Sequence, residues 1–317
     1  MNNIIETRLV YGFLDAGKTT YIQDCILNDY FHKYGTTLIL CFEQGEEAYD
    51  LKALAEKRTS VAYYEGDTDV GAFCWSSIEK NQPDRIYVEM NTMMQSLREQ
   101  LPDFMQDGYA VTLIDWATLP LYFLNFRQMI KQMVAVSQQI TFRGCPSKEL
   151  LEPYSQPFRL MNQTASYLRQ DPMGYHERAF DLFLPFSLAE EVIMITEESF
   201  LPFWLDALDH PEHYEGKILR FTDPLELRRS NDAEPWYAGR VVMVCCMADL
   251  QFMAFELEDE SKIIHGGWIA FEALARIGIE EYGRKRLKLI LNHAHSVPAP
   301  IDLILESNLS GSLERPE

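Results

Sequence analysis

The sequence predicts an α/β domain, a parallel β-sheet flanked by helices, followed by a small all-β domain. Three observations predict it. In the first half, apolar runs of strand length alternate with helix-like segments, the pattern of parallel strands joined by helical crossovers. Near the N-terminus one such run, Leu9-Val10-Tyr11, ends at Gly12 and continues as Phe13-Leu14-Asp15-Ala16-Gly17-Lys18-Thr19-Thr20 into the helix-like Tyr21-Ile22-Gln23-Asp24-Cys25-Ile26-Leu27. From about Tyr214 onward, short strand-like runs are separated by Gly, Pro and Asp clusters, which predicts a small barrel of OB-like form.

Taken in order, Thr7 to Tyr11 is the first strand, and Thr20 to Phe31 the helix after it. Thr36 to Phe42 is a continuous apolar run, followed by the acidic Glu43-Gln44-Gly45-Glu46-Glu47. Val61 to Tyr64 is a third strand, Asp69 to Asn81 a helix stopped by Pro83, and Asp84 to Glu89 a strand that ends on a carboxylate. Met94 to Met105 reads as helix, Tyr109 to Ile114 as a buried strand ending at Asp115, Leu119 to about Val136 as one long helix, and Gln139 to Phe142 as the last strand. Five prolines between 146 and 185 predict a connecting region, because proline breaks long helices. Val192 to Ile195 is a short strand and Phe200 to Leu208 an aromatic segment. Tyr214–Phe221, Arg240–Cys246, Leu250–Leu257, Trp268–Ile277 and Arg286–Asn292 are the strands of the barrel. The expected division is a nucleotide-binding domain over 1–165, a linker or docking segment over 166–212, a barrel over 213–300 and a tail over 301–317.

Composition narrows the function classes. With 28 basic against 48 acidic side chains the net charge is −20, which argues against a nucleic-acid-binding surface. A nucleotide remains compatible, since a loop of main-chain amides holds phosphate without bulk positive charge. Six cysteines, two adjacent and four scattered, lack the spacing of a disulfide framework and fit a reducing compartment. No apolar run approaches the roughly 20 residues that span a bilayer, and the first strand begins where a leader would stand. The expectation is a cytoplasmic protein with no membrane span of its own.

The chemistry concentrates in Gly12 to Thr20. The pattern G-x-x-x-x-G-K-T between a strand and a helix is a phosphate-binding P-loop: successive N–H groups converge on phosphate oxygens, and the helix turns its positive end to them. The candidate nucleotide-binding residues are Gly12, Asp15, Ala16, Gly17, Lys18, Thr19 and Thr20. Lys18 is expected at the β- and γ-phosphates and Thr19 on Mg²⁺. In parallel sheets ligands bind beyond the carboxyl ends of the strands, where Glu43, Glu89 and Asp115 stand. Glu89 is the second Mg²⁺ group, directly or through water, or the group that orients an attacking water. Glu43 and Glu46 either approach the γ-phosphate side or belong only to an acidic loop, and Asp115 is expected to cap the segment after it.

The first 165 residues resemble the CobW-type GTPases of the metallochaperone group that also contains the nickel-insertion GTPases of urease and hydrogenase. The resemblance rests on Gly12 to Thr20, on Glu43-Gln44-Gly45-Glu46 and on Ile86-Tyr87-Val88-Glu89. It extends to Val111-Thr112-Leu113-Ile114-Asp115 and to Arg159-Leu160-Met161-Asn162-Gln163-Thr164-Ala165. It implies GTP with Mg²⁺, slow hydrolysis assisted by Lys18 and Glu89, and coupling to a partner or to metal handling. The chain departs from that family at two places. Only Cys74 lies between Cys41 and Glu89, where the family carries Cys-x-Cys-Cys. After the long helix it reads Gln139-Ile140-Thr141-Phe142-Arg143-Gly144-Cys145, without the family's guanine-reading Asn-Lys-x-Asp.

The barrel region, Tyr214 to Trp268 and beyond, resembles the β domain of permease-associated proteins of unknown function, which implies a protein partner, a permease-like membrane protein among the candidates. Cys245 and Cys246 suggest Zn²⁺, completed by Asp249 and by His293 and His295, if a bulge or turn brings both sulfurs to one side; their alternative is burial in an apolar strand. Three functions follow: a slow Mg²⁺-dependent GTPase, a non-catalytic interaction subunit that retains the fold, and a metal-delivery protein using Cys245 and Cys246.

Overall fold

A strand covered on both faces needs unbroken apolar sequence, and the centre of the first sheet is built that way. The computed structural model describes residues 5–28, 35–43, 45, 47–66, 68–180, 184–231, 234–258, 267–280 and 283–306. It divides into two compact units, Met1–Leu151 with Thr164–Phe180, and Glu152–Gln163 with Asp181–Glu317.

The first unit runs β1 (Glu6–Gly12), α1 (Lys18–Leu27), β2 (Thr37–Cys41), α2 (Leu51–Glu56), β3 (Thr59–Tyr63), α3 (Val70–Asn81) and β4 (Arg85–Asn91). It continues through α4 (Asp103–Gln106), β5 (Tyr109–Asp115), α5 (Leu119–Asn125), α6 (Arg127–Ala135), β6 (Gln139–Arg143), β7 (Ser166–Gln170) and β8 (His176–Arg178). The sheet order is β3-β2-β4-β1-β5-β6-β7-β8, parallel except for β8. β1 lies at the centre, and its parallel register sets Val10 beside Glu89 and Gly12 beside Asn91. Leu9, Val10, Leu38, Ile39, Leu40, Ile86, Val88 and Leu113 are completely buried. The α/β expectation, a parallel sheet flanked by helices, holds.

Three local expectations change. The helix expected over 119–136 is two helices, because Phe126 leaves the helical region (φ −129°, ψ 32°) and its ring packs near Phe13 and Tyr122. The helix expected over 94–105 is a 3-10 segment, Thr92–Gln100, and then the short α4. Leu101 between them is extended (φ −66°, ψ 150°), as the residue before Pro102 must be. The segment 166–212, expected as a linker, is divided between the units, with β7 and β8 at the edge of the first sheet and residues 184–212 in the second unit.

The second unit contains α7 (Glu152–Met161), β9 (Val192–Ile195), α8 (Glu197–Asp209), β10 (Ile218–Arg228), β11 (Tyr237–Met243), β12 (Leu250–Leu257), β13 (Gly267–Ile279), β14 (Lys285–Ser296) and β15 (Ile304–Glu306). α7 holds Pro153 in its first turn and Pro157 inside, at the cost of one backbone hydrogen bond rather than of the helix. β10 pairs with both β11 and β13, β11 with β12, β12 with β14, and β14 with β13. That is a closed ring of five strands in the order 10-11-12-14-13, the OB arrangement, with its one parallel pair between the third and fifth strands. β9 and β15 add to it in parallel. Alternation along β13 turns Ile269, Phe271, Ala273 and Ala275 inward, and Phe203 of α8 meets the Phe255 ring at 4.9 Å. Among the described residues no helix is long and apolar enough to cross a membrane.

β11 and β12 approach so closely that a Cβ at Gly239 would stand 2.2 Å from the Met253 carbonyl oxygen and 2.5 Å from Ala254 Cβ. Gly239→Ala is therefore expected to destabilise the second unit by about 1–3 kcal/mol, as overpacking does. Thermal unfolding checks this, and an unchanged melting temperature contradicts it.

Candidate functional site

Two glycines let the chain leave β1 and turn into α1 at close quarters. A Cβ at Gly12 would lie 2.8 Å from the Leu113 carbonyl oxygen and 2.9 Å from Ala16 Cβ. Gly17, the N-cap of α1, has φ 77°, and a Cβ there would fall 1.5 Å from Arg143 Nη1. Asp15, without the glycine exemption, also adopts a positive φ of 60°. No side chain caps α1, so the N–H groups of its first turn have no capping side chain on them. The loop borders a cavity of about 230 Å³, lined by Asp15, Gly17, Lys18 and Thr19 from the P-loop and by Glu43, Glu47 and Glu89 opposite.

The side chains form one connected network. The Lys18 ammonium is buried, donates to the Phe13 carbonyl oxygen at 2.7 Å and pairs with Glu43 Oε2 at 2.6 Å. Asn91 Nδ2 donates to the other Glu43 oxygen at 2.8 Å. The Thr19 hydroxyl donates to Glu89 Oε1 at 2.8 Å, and the Tyr49 hydroxyl donates to Glu89 Oε2 at 2.5 Å. Cys41, directly beside Glu89 across the β2–β4 ladder, brings its thiol to 3.5 Å from the same Oε2. Thr20 bonds through its hydroxyl to Glu47. Burial and the Glu89 charge push the Tyr49 phenol far up, so it stays a donor, and burial followed by the same charge pushes the Cys41 thiol up to about 12.

The structure therefore gathers Asp15, Gly17, Lys18, Thr19 and Glu89 at one cavity, with Gly12 and Ala16 buried behind it and Thr20 at its rim. Glu43 stands on Lys18. Gln44 and Glu46 lie outside the described residues. Asp115 accepts from the Thr118 N–H at 3.1 Å, a turn contact away from the cavity lining. Thr19 and Glu89 offer hard oxygen donors side by side, which suits Mg²⁺.

Tyr49, Asn91 and Arg143 were not anticipated as site residues. Asn91 had a signal, since it stands two residues after Glu89 and so on the same face of β4. Arg143 ends β6, where a base-reading motif was sought. Its Nη1 instead donates to the carbonyl oxygens of Gly17 at 2.6 Å and Ala16 at 3.2 Å, and its Nε to Gln170 Oε1 at 2.8 Å. It braces the loop from behind. Tyr49 lies in an irregular stretch with no periodicity to expose it.

In the second unit, β11 stops at Met243, so Cys245 and Cys246 lie in the turn after it and not in the strand. The turn is closed by Val244 N–H to Asp249 O at 3.1 Å and Asp249 N–H to Cys246 O at 2.8 Å, and it brings the two sulfurs to 3.7 Å. Among the described residues, however, no three His, Cys, Asp or Glu side chains are grouped to hold a metal ion. The proposed completion by Asp249, His293 and His295 is not assembled.

No family model and no curated protein matches the chain. Solved structures give faint likenesses. The chain is similar to the hydrogenase maturation factor HypB from Archaeoglobus fulgidus at 13% identity and a TM-score of 0.39, over 53% of this chain and 82% of that one. It is similar to a Zn(II)-bound triple mutant of the YjiA GTPase at 15% identity and a TM-score of 0.39, over 84% of this chain and 93% of that one. It is also similar to HypB from Helicobacter pylori in complex with nickel, at 9% identity and a TM-score of 0.36, over 53% and 79%. With identities this low, the functional reading of this chain rests on its own residues.

Burial pushes the Cys245 thiol up to about 12, with Cys246 and Asp249 adding to it, and burial does the same to Cys74. At pH 8 these thiols and Cys41 remain protonated and weakly nucleophilic. Brief alkylation of the native protein is expected to label the more exposed Cys246 ahead of Cys245, and Cys41 and Cys74 last. Peptide mass spectrometry reads the order, and early labelling of Cys41 contradicts it.

Proposed function

We propose that the first unit binds the triphosphate of a nucleotide as its Mg²⁺ complex, GTP being the nucleotide that the sequence resemblance implies, and hydrolyses it slowly. The observation that carries the proposal is the uncapped start of α1 behind a glycine loop, with Lys18, Thr19 and Glu89 converging on one cavity. First-turn N–H groups and the helix dipole favour the phosphates. An ammonium has three donors; Phe13 O takes one and Glu43 stands beside it as an ion pair, which leaves donor capacity for a phosphate oxygen. Thr19 and Glu89 would hold Mg²⁺, which supplies charge neutralisation on the β- and γ-oxygens. Glu89, buried and held at both oxygens, is placed to orient a metal-bound or attacking water.

Asp15, Glu43, Glu47 and Glu89 make the cavity rich in carboxylates, so free triphosphate is repelled and the metal complex is favoured. Among the described lining residues Lys18 is the only cation, and Arg143 directs its Nη1 to the loop carbonyls and its Nε to Gln170. Hydrolysis without an added cationic group from a partner is accordingly slow. The OB-ordered barrel of the second unit is the proposed partner-contacting part, a permease-like membrane protein being the partner its sequence resemblance implies. Zn²⁺ at Cys245 and Cys246 has two thiols in favour and no assembled third ligand, and metal delivery is not part of the proposal.

Titration calorimetry with GTP tests this reading. Lys18→Ala is expected to abolish measurable binding, and chelation of Mg²⁺ to weaken wild-type binding about tenfold or more. Glu43→Gln, which removes a competing carboxylate from Lys18, is expected to tighten binding by about threefold to tenfold, on the order of 1 kcal/mol. Absence of binding by the wild-type protein to GTP, GDP or ATP would leave the non-catalytic interaction subunit as the reading.

A further inference from the structure

We propose that Tyr49 is a positioning residue of the triphosphate site: its hydroxyl holds Glu89 Oε2, so that Oε1, the oxygen beside Thr19, is the one presented to the metal. This rests on the nucleotide reading above.

A glutamate carboxylate turns about a soft terminal torsion, so two oxygens compete for any metal unless one is occupied. Here Oε2 is occupied by the Tyr49 hydroxyl at 2.5 Å; the Cys41 thiol lies 3.5 Å away, but its one proton has a nearer acceptor in the Glu43 carbonyl oxygen at 2.7 Å. The phenol makes a strong hydrogen bond to a carboxylate, while the thiol makes a long contact from a weak donor. Among the described residues Oε1 accepts from the Thr19 hydroxyl, 2.8 Å away, on the side of the cavity. Thr19 and Oε1 would hold the metal together, with Oε2 kept by Tyr49.

Tyr49 can do this because it has little freedom of its own. Its ring is 6% exposed and packs in the cluster of Val10, Ile22, Ile39, Cys41 and Tyr87 between α1 and the sheet. The next residue is anchored twice: the Asp50 N–H donates to Gln23 Oε1 of α1 at 2.8 Å, and its side chain caps α2 through Lys52 and Ala53. Glu43 and Tyr49 thus reach the two functional groups of the P-loop site, a carboxylate on Lys18 and a phenol on Glu89.

Tyr49→Phe keeps the ring and removes the hydroxyl. GTP binding is measured across a Mg²⁺ titration for wild type and variant, with the melting temperature alongside. The Mg²⁺ concentration at half-maximal binding is expected to rise about tenfold, as loss of an outer-shell partner does, while affinity at saturating Mg²⁺ stays within about twofold. A structural role would instead lower affinity at saturating metal and the melting temperature together, and that result, or an unchanged Mg²⁺ midpoint, overturns the proposal. If the wild type binds no nucleotide at any Mg²⁺ concentration, the nucleotide reading fails first and this proposal with it. Binding by wild type with no effect in Tyr49→Phe removes this proposal alone.

Discussion

The parallel pairing of β1 with β4 is the constraint on which the site depends. It sets Val10 beside Glu89 and Gly12 beside Asn91, so two strands far apart in the chain end together at one edge of the sheet. Thr19, seven residues beyond Gly12, then meets a carboxylate 70 residues away in sequence. A slip of one residue would turn Glu89 to the opposite face and leave its charge among the apolar cover of the sheet. Because β1 and β4 are buried on both sides, their register is strongly specified, and the geometry at their ends is fixed by core packing rather than by the loop.

That rigidity explains how buried charges are tolerated. Lys18 and Glu89 have almost no solvent contact, yet each is satisfied: the ammonium by Phe13 O and Glu43, the carboxylate by Thr19 and Tyr49. Glu43 is the member that sets the balance. It compensates Lys18 in the absence of a ligand and competes with phosphate for the same ammonium when one enters. A site of this kind trades affinity for a defined resting state, and under the proposed function the Lys18–Glu43 pair is the contact that must change when ligand arrives, while Tyr49 keeps its hold on Glu89.

Much of this was legible in the sequence. Continuous apolar runs ending at Gly12, Cys41, Glu89 and Asp115 announce parallel strands, and the change to alternating short strands after Tyr214 announces the barrel. The glycine loop identifies Lys18 and Thr19, and a carboxylate at a strand end identifies Glu89. What stayed hidden depends on tertiary contacts. Tyr49 belongs to a stretch without periodicity, and only its burial in the cluster that also holds Ile22 and Tyr87 carries its hydroxyl to Glu89. Arg143 reads as an ordinary strand end until its guanidinium is seen on the Gly17 carbonyl. The break at Phe126 and the edge pair β7–β8 follow from ring packing and from sheet pairing, which local propensity does not encode. The strand expected to run to Cys246 ends at Met243, three residues earlier, and element ends are the least legible feature of a sequence.

The most direct measurement is a crystal structure of the protein grown with Mg²⁺ and a non-hydrolysable GTP analogue. The account predicts phosphate oxygens against the N–H groups of Gly17 and Lys18 and against the Lys18 ammonium, with Glu43 displaced and Mg²⁺ between Thr19 and Glu89. A structure at saturating analogue in which the Lys18–Glu43 pair is intact and no phosphate enters the cavity would contradict it.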